Sequence, residues 1–460
     1  MKKRIFLFLL LFTLCRITAE AQNAYFVDGY HGGVFGHYPQ WQTDFMVDKL
    51  NGNPGWKICL EIEPETFDSV KVWTPEAYLR FQNYVAEQNG KNIEFTNPTY
   101  AQPYCYNISG ESLIRQFVYG IERLRRHFPG ITFTTYSVEE PCFTSALPQI
   151  LKQFGFRYAV LKNPDTCYGG YAEALGGESI NWIGPDSTQI VTVPRYEAEA
   201  LEDNSTWQTT AWNNSGKYLK ACFGAGIKNP VGMCYQDAGW ENGPWLGAPQ
   251  KSKSTYTLWS SYIENIAAPT TDNRKLTQEN IRVSLMWGSQ VLQRLAGEIR
   301  DAENKLVQAE KIAVLQKYYN NQPWNQNLLD EAWRGLLLSQ HHDCWIVPYN
   351  RMGHTRHTWA KNVSLFTQQS IGLCDSLIGQ QAPFTGKIRI YNTSGKCRKE
   401  IVSYPLPKEM QGVGILSVIG YNGKQVVSQK NADNTLSFEA NIPALGFADY
   451  TIKIEKQRKE

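Results

Sequence analysis

Between residue 22 and about residue 250 the chain alternates short apolar runs, each closed by Gly, Pro or Asn, with stretches of helical period. The runs include AYFVDGY (24–30), WKICLEIEP (56–64), NIEFTNP (92–98), ITFTTYSVEEP (131–141), RYAVLK (157–162) and NPVGMCYQD (229–237). Helical patterns lie between several of them, as in ESLIRQFVYGIERLRRHF (111–128) and LPQILKQFG (147–155). Strand, helix, strand in succession predicts an α/β domain over 22–250: a mainly parallel sheet, barrel-like, with helices on both sides. Such folds carry their chemistry on loops beyond the carboxyl ends of the strands. Asp28, Glu63, Glu139, Glu140 and Asp237 all fall at or just after a strand-like run.

The pattern changes twice further on. Residues 251–380 read as a helical bundle. Leu285, Leu292, Ile299, Leu306 and Ala313 recur at heptad spacing, and Leu295, Ala302 and Ala309 form a second seam. In LLDEAWRGLLLSQHH (328–342), Leu329, Ala332 and Leu336 form a stripe, with His342 at its end; a third run covers about 358–378. Residues 381–460 alternate in period two through KIRIYN, ILSVIGYNGKQVV, TLSFEA and ADYTIKI, with a turn at Tyr421-Asn422-Gly423. They predict a short antiparallel, sandwich-like domain of about four strands.

The first 21 residues stand apart. Met1-Lys2-Lys3-Arg4, the apolar run IFLFLLLFTLC (5–15) and Ala19-Glu20-Ala21 predict a signal peptide and export to the periplasm or beyond. A membrane span needs about 20 apolar residues, so this run is short for one. The segment carries four bases (Lys2, Lys3, Arg4, Arg16) and one acid (Glu20), so it accounts for the formal charge of +3. A balanced remainder excludes a general nucleic-acid-binding role, which needs a basic surface. Nine cysteines remain beyond it (59, 105, 142, 167, 222, 234, 344, 374 and 397), none spaced as Cys-x-x-Cys, which excludes a zinc ribbon or thioredoxin-type site. The aromatic share of 13% is compatible with sugar stacking but also serves ordinary cores.

The chemistry-bearing residues are few. Of seven histidines, His31 and His37 lie in the Gly-rich loop VDGYHGGVFGHYP (27–39), and His341-His342-Asp343 closes a helix pattern. Two distant His-bearing segments plus carboxylates suit a mixed zinc-type site. Adjacent Glu139 and Glu140 point different ways, so one reaches the site. With Asp237 they would suit retaining glycoside hydrolysis, where two carboxyl groups stand about 5–5.5 Å apart.

The order of segments resembles glycoside hydrolase family 38, the retaining α-mannosidases. FTNPTYAQPYCYNISGESLIRQFVYGIERL (95–124) is similar to the stretch before that family's nucleophile loop, and TYSVEEPCFTSALPQILKQFGFRYAVL (135–161) to the loop itself. VGMCYQDAGW (231–240) resembles the acid/base strand, and LLLSQHHDCW (336–345) the His-His-Asp segment. KIRIYNTSG (387–395) and IPALGFADYTIKI (442–454) resemble parts of the β-domain.

This resemblance implies an α/β catalytic domain, a three-helix bundle and β-structure, with one zinc touching the sugar's vicinal hydroxyls. It puts the nucleophile on Glu139, with Glu140 a rival if the loop is shifted by one. It puts the acid/base on Asp237 and metal ligands on His31, His342 and Glu139. Gly33 stands where the family's His-x-Asp has its carboxylate ligand, so Asp28 or His37 fills the vacancy or the zinc is absent. Sugar contacts are expected from His37, Lys162, Tyr196, Glu197, Trp245, His341 and Asp343. Three functions are compatible with these residues: an exported glycosidase acting on α-mannosides or N-glycan fragments, a carbohydrate-binding pseudoenzyme, or a metal-dependent carbohydrate deacetylase.

Overall fold

The computed structural model describes residues 23–139, 143–162, 176–196, 214–236, 254–281, 293–346, 348–351, 356–378 and 384–455. Two compact units divide the chain: Met1–Ala296 with Gln340–Val363, and Gly297–Ser339 with Ser364–Glu460.

The first unit is mixed α/β. Strands β1 (Tyr25–Gly32), β2 (Ile58–Ile62) and β3 (Ile93–Phe95) run parallel in the order β3-β2-β1, and β8 (Val231–Gln236) pairs with the far side of β1. The short β9 (Thr255–Tyr256) adds beside the start of β1. A second sheet has the order β10-β6-β7-β5-β4, with β4 (Thr135–Tyr136), β5 (Tyr158–Val160), β6 (Ile180–Ile183), β7 (Gln189–Val193) and β10 (Asn273–Lys275). Only β6 and β7 pair antiparallel there. Just past β3 and β4, the Ser137 amide donates to the Thr96 carbonyl at 3.2 Å. β1 and β2 are buried along nearly their whole length. They therefore read as continuous apolar runs rather than alternating ones, as parallel strands covered on both faces do. Each large apolar side chain so buried contributes about 1.5–3 kcal/mol.

Six strand-like runs of the sequence correspond to β1–β5 and β8. The sequence reading missed β6, β7, β9 and β10. The last two, at two and three residues, are too short to show a period. They lie in the segment 254–281, which reads from sequence as the start of the helical region.

The helix Gly110–His127 supports the loop that leaves β3. Ser109 caps it by accepting the Ser112 amide, Glu111 stands in its first turn, and Arg125, Arg126 and His127 stand in its last. Leu113, Phe117, Gly120, Ile121 and Leu124 bury one stripe. A Cβ on Gly120 would lie 1.8 Å from the Pro98 carbonyl oxygen, so only glycine lets the loop after β3 approach this helix.

In the second unit, the helices Gln293–Asn320, Gln326–Ser339 and Trp359–Ile378 supply segments that pack together. Ile299, Ala302, Leu306 and Ala309 are buried, as are Leu329, Ala332 and Leu336, while Ala313 of the first seam is only half-buried. Trp333 Nε1 donates to Glu310 at 3.0 Å, and Lys305 pairs with Asp375 at 2.8 Å. Leu285 and Leu292 lie outside the described residues.

Among the described residues the C-terminal part holds seven strands, not about four. β11 (Lys387–Asn392), β13 (Leu416–Ile419), β14 (Gln425–Val426) and β17 (Gly446–Ile454) form one antiparallel sheet; β12 (Arg398–Pro405), β15 (Ser428–Lys430) and β16 (Thr435–Ile442) form the other. Both sheets contribute to one core that includes Val418, Leu436, Phe438 and Tyr450. β12 escaped the pattern because most of its residues stay exposed, which erases the alternation.

Candidate functional site

β1 and β2 end side by side with His31 opposite Glu61. His31 Nδ1 lies 3.0 Å from Glu61 Oε2. The same carboxylate accepts Asn97 Nδ2 on Oε1 and the Glu139 amide on Oε2, each at 2.7 Å. Asn97 follows β3 and Glu139 follows β4. One fully buried carboxylate therefore ties together the carboxyl ends of four strands.

His342 reaches this cluster from a segment 311 residues further along the chain, with its Nε2 3.2 Å from His31 Nε2. Its Nδ1–H donates to the Gln102 carbonyl at 2.7 Å. Gln102 has φ 46°, a left-handed conformation that costs a non-glycine residue on the order of 1 kcal/mol. Its side chain holds it there, donating to the carbonyls of Gly32 at 3.3 Å and Glu61 at 3.0 Å. Gln116, on the helix Gly110–His127, accepts the Ala101 amide at 2.9 Å and donates to Gln340 at 3.2 Å. That one glutamine anchors both segments that meet at His342.

Hydrogen bonding sets the tautomers. His342 spends its Nδ1 proton on Gln102, so its Nε2 offers a lone pair. Burial, and the nearby rings of His341 and His31, hold the His342 pKa well below its ordinary value, so this imidazole is neutral. His31 Nδ1 lies 3.0 Å from Glu61 Oε2, and its Nε2 faces the same point. The pair is therefore joined either by a hydrogen bond from His31 Nε2–H to the His342 lone pair or by a cation held between two lone pairs.

His341 has a different role. Its Nε2 donates to Glu63 Oε1 at 2.8 Å, and its Nδ1 accepts the Asp343 amide at 3.1 Å. Glu63 also accepts the amides of Phe35 at 2.8 Å and Gly36 at 3.1 Å. The His341 ring stacks between His342 (4.3 Å between centroids) and Trp359 (4.5 Å). Asp343 Oδ1 lies 3.8 Å from His342 Nε2. His341, His342 and Asp343 form a group whose ligand atoms all lie within 4.8 Å of one another.

The structure thus brings together His31, His342, Glu139, His341 and Asp343. It places Asp28 within β1 rather than at its end, on the face opposite His31. There Asp28 accepts Trp56 Nε1 at 2.7 Å and the Gly29 amide at 3.0 Å. The His37 side chain is exposed, and its carbonyl accepts the Tyr30 hydroxyl at 2.7 Å. Lys162 is buried, with Nζ 3.6 Å from the Tyr196 ring centre and 3.3 Å from the Tyr218 hydroxyl. Burial drives its amine well below the ordinary lysine range. Glu140, Glu197, Asp237 and Trp245 lie outside the described residues.

Sequence reasoning missed Glu61, Asn97 and Gln102. Glu61 left one signal: an acid inside the buried run ICLEI (58–62), where a charge is tolerated only with partners.

Histidines and carboxylates gathered at the carboxyl edge of a mainly parallel sheet define an α/β protein with a buried His/carboxylate centre. The sequence model of the glycosyl hydrolases family 38 N-terminal domain matches residues 44–323, and the chain belongs to that family. Two solved structures are similar over 95% of this chain, each at 14% identity. One is an α-mannosidase from Enterococcus faecalis V583 (TM-score 0.62, 56% of that chain covered). The other is a protein in glycosyl hydrolase family 38 from Enterococcus faecalis (TM-score 0.58, 55% covered). The chain therefore spans little more than half the length of either, and the likeness shows the fold. No curated protein matches the sequence.

The donor set fits a zinc ion. His31 and His342 bring their Nε2 atoms within 3.2 Å of each other; His342 Nδ1 donates to the Gln102 carbonyl, the outer hydrogen bond usual for a metal-bound imidazole, and His31 Nδ1 lies 3.0 Å from a Glu61 oxygen.

Proposed function

We propose that this protein is an exported glycosidase of α-mannosidase type, working by retention with zinc assistance. The observation that supports it best is Glu61, which at once orients His31 and anchors the Glu139 backbone in a family 38 chain. In this reading His31 and His342 hold the ion, which supplies a positive charge to orient the sugar's vicinal hydroxyls. Glu139 is the nucleophile, with Glu140 the alternative. Its carboxylate oxygen bonds to the anomeric carbon as the glycosidic C–O bond breaks, and the leaving oxygen takes a proton from Asp237. Asp237 then removes a proton from water, which attacks the anomeric carbon, releases the sugar and frees the carboxylate. His341 and Asp343 line the sugar site. The reading also includes barrel-like closure of the sheet, division of the chain near residues 21, 250 and 380, and an α-mannoside or N-glycan fragment as substrate.

Metal analysis of the purified protein, combined with an aryl α-mannoside assay with and without chelator, tests it. About one zinc per chain and chelator-sensitive turnover are expected. Neither metal nor turnover, with glycans bound and uncut, would assign the chain to carbohydrate binding instead; the missing side chain at Gly33 favours that second reading.

A further inference from the structure

The second unit carries an exposed row of aromatic rings. Strand register builds half of it. β11 and β17 pair Arg389 with Asp449 and Tyr391 with Phe447. Their neighbours Ile388, Ala448 and Tyr450 are buried in the core that both C-terminal sheets share, so alternation puts these four residues on the other face. The end of the helix Gln293–Asn320 adds Tyr318, Tyr319 and Asn320. Ring centres lie 5.0 Å apart for Tyr318 and Tyr319, 5.3 Å for Tyr319 and Phe447, and 5.8 Å for Phe447 and Tyr391. Tyr318 is 80% exposed and Tyr319 52%. Large apolar rings left contiguous at a surface mark an interaction site rather than a core.

A polar group flanks the row. Arg389 Nε and Nη2 donate to the two oxygens of Asp449 at 2.7 and 2.9 Å, and Nη1 donates to Asn320 Oδ1 at 3.2 Å. The guanidinium lies 3.8 Å from the Phe447 ring centre. Each partner holds the other in its charged form: the bond from Arg389 lowers the Asp449 pKa, and the bond to Asp449 raises that of Arg389. The pair therefore carries no net charge. Lys387 adds a further positive charge on that face, against the several that a nucleic-acid backbone needs. What the surface offers is ring faces, carboxylate lone pairs beyond the two that Arg389 occupies, and the amide N–H groups of Asn320. A neutral polyhydroxylated ring uses the same three: its C–H face packs on an aromatic ring, and its hydroxyls donate to a carboxylate and accept from an amide.

We propose that this face of the second unit binds a neutral carbohydrate chain, with sugars stacked on Tyr318 and Tyr319 and their hydroxyls bonded to Asp449 and Asn320. A row of rings fits an oligosaccharide or polysaccharide rather than a single sugar. The choice of carbohydrate rests on the glycosidase reading, and the surface shares no residue with the histidine centre.

Affinity electrophoresis of the full chain through gels with and without α-mannan tests it. Changing Tyr318→Ala and Tyr319→Ala together is expected to weaken retention by about 10-fold or more. Turnover of an aryl α-mannoside, too small to span the row, is expected to stay at the wild-type value. Tyr318→Phe with Tyr319→Phe keeps both rings and should keep most of the retention, which separates stacking from a folding defect. Retention of the alanine pair equal to wild type would overturn the proposal, as would a wild-type chain retained by neither α-mannan nor a neutral β-glucan. So would a wild-type dimer that the alanine pair converts to monomer in sedimentation, since the face would then join two copies of the chain. Retention that depends on these tyrosines, in a wild-type chain that cleaves no aryl mannoside, would support the surface while overturning the glycosidase reading.

Discussion

His31 Nε2 and His342 Nε2 stand 3.2 Å apart although 311 residues separate them in the chain. Neither ring is placed by its neighbours in sequence alone. His31 is fixed through Glu61 on the adjacent strand, and His342 through the Gln102 carbonyl in the loop after β3. The centre is therefore sensitive to residues that would touch neither metal nor sugar.

Glu61 is the most direct of these to test. Glu61→Gln removes the negative charge that lies 3.0 Å from His31 Nδ1, while its amide oxygen can still accept one donor. Zinc affinity should fall by about 10–100-fold, the range seen when a partner of a metal-bound histidine is lost. Titration with a chelator would reveal it, and unchanged affinity would mean that His31 needs no such support.

Glu139→Gln should abolish aryl α-mannoside turnover, by about 10³-fold or more, while zinc content and thermal midpoint stay near wild type. Activity within tenfold of wild type would remove Glu139 as nucleophile and turn attention to Glu140.

Gly33→Ala places a methyl group against the stem of Glu63 and should cost about 1–3 kcal/mol by overpacking. Gly55→Ala, where nothing lies within 4 Å of the new Cβ, should stay within about 0.5 kcal/mol of wild type. Urea unfolding of the two variants makes the comparison; equal stabilities would show that Glu63 yields easily.

Glu94 carries a pH dependence of stability. Burial raises its pKa, opposed by hydrogen bonds from the Ser260 amide and hydroxyl. The native state then binds a proton that the unfolded chain releases near pH 4.3, so stability falls as pH rises from there to the native pKa, and stays lower above it. Glu94→Gln does not ionise, and its carbonyl can still accept from Ser260. It should be more stable than wild type at pH 7 by about 1 kcal/mol, with the difference vanishing below about pH 4. Melting curves at both pH values decide it; an equal gap at both would mean that ionisation is not the cause.

The sequence by itself determined the class of fold, six of the sheet-forming runs, the long helical seams and the segments from which His31, Glu139 and His342 come. These rest on local periodicity and on apolar runs, which physics imposes within some ten residues. It did not determine β12, whose exposed residues carry no alternation, or the two- and three-residue strands, which exist only because a longer strand lies beside them. Nor did it determine which acids serve the histidines. Asp28 and Glu61 are both acids within apolar runs, yet strand alternation turns one toward Trp56 and register sets the other opposite His31. Register, and the arrival of His342 beside Gln102, are set by packing between segments distant in the chain, and only the tertiary structure decided them.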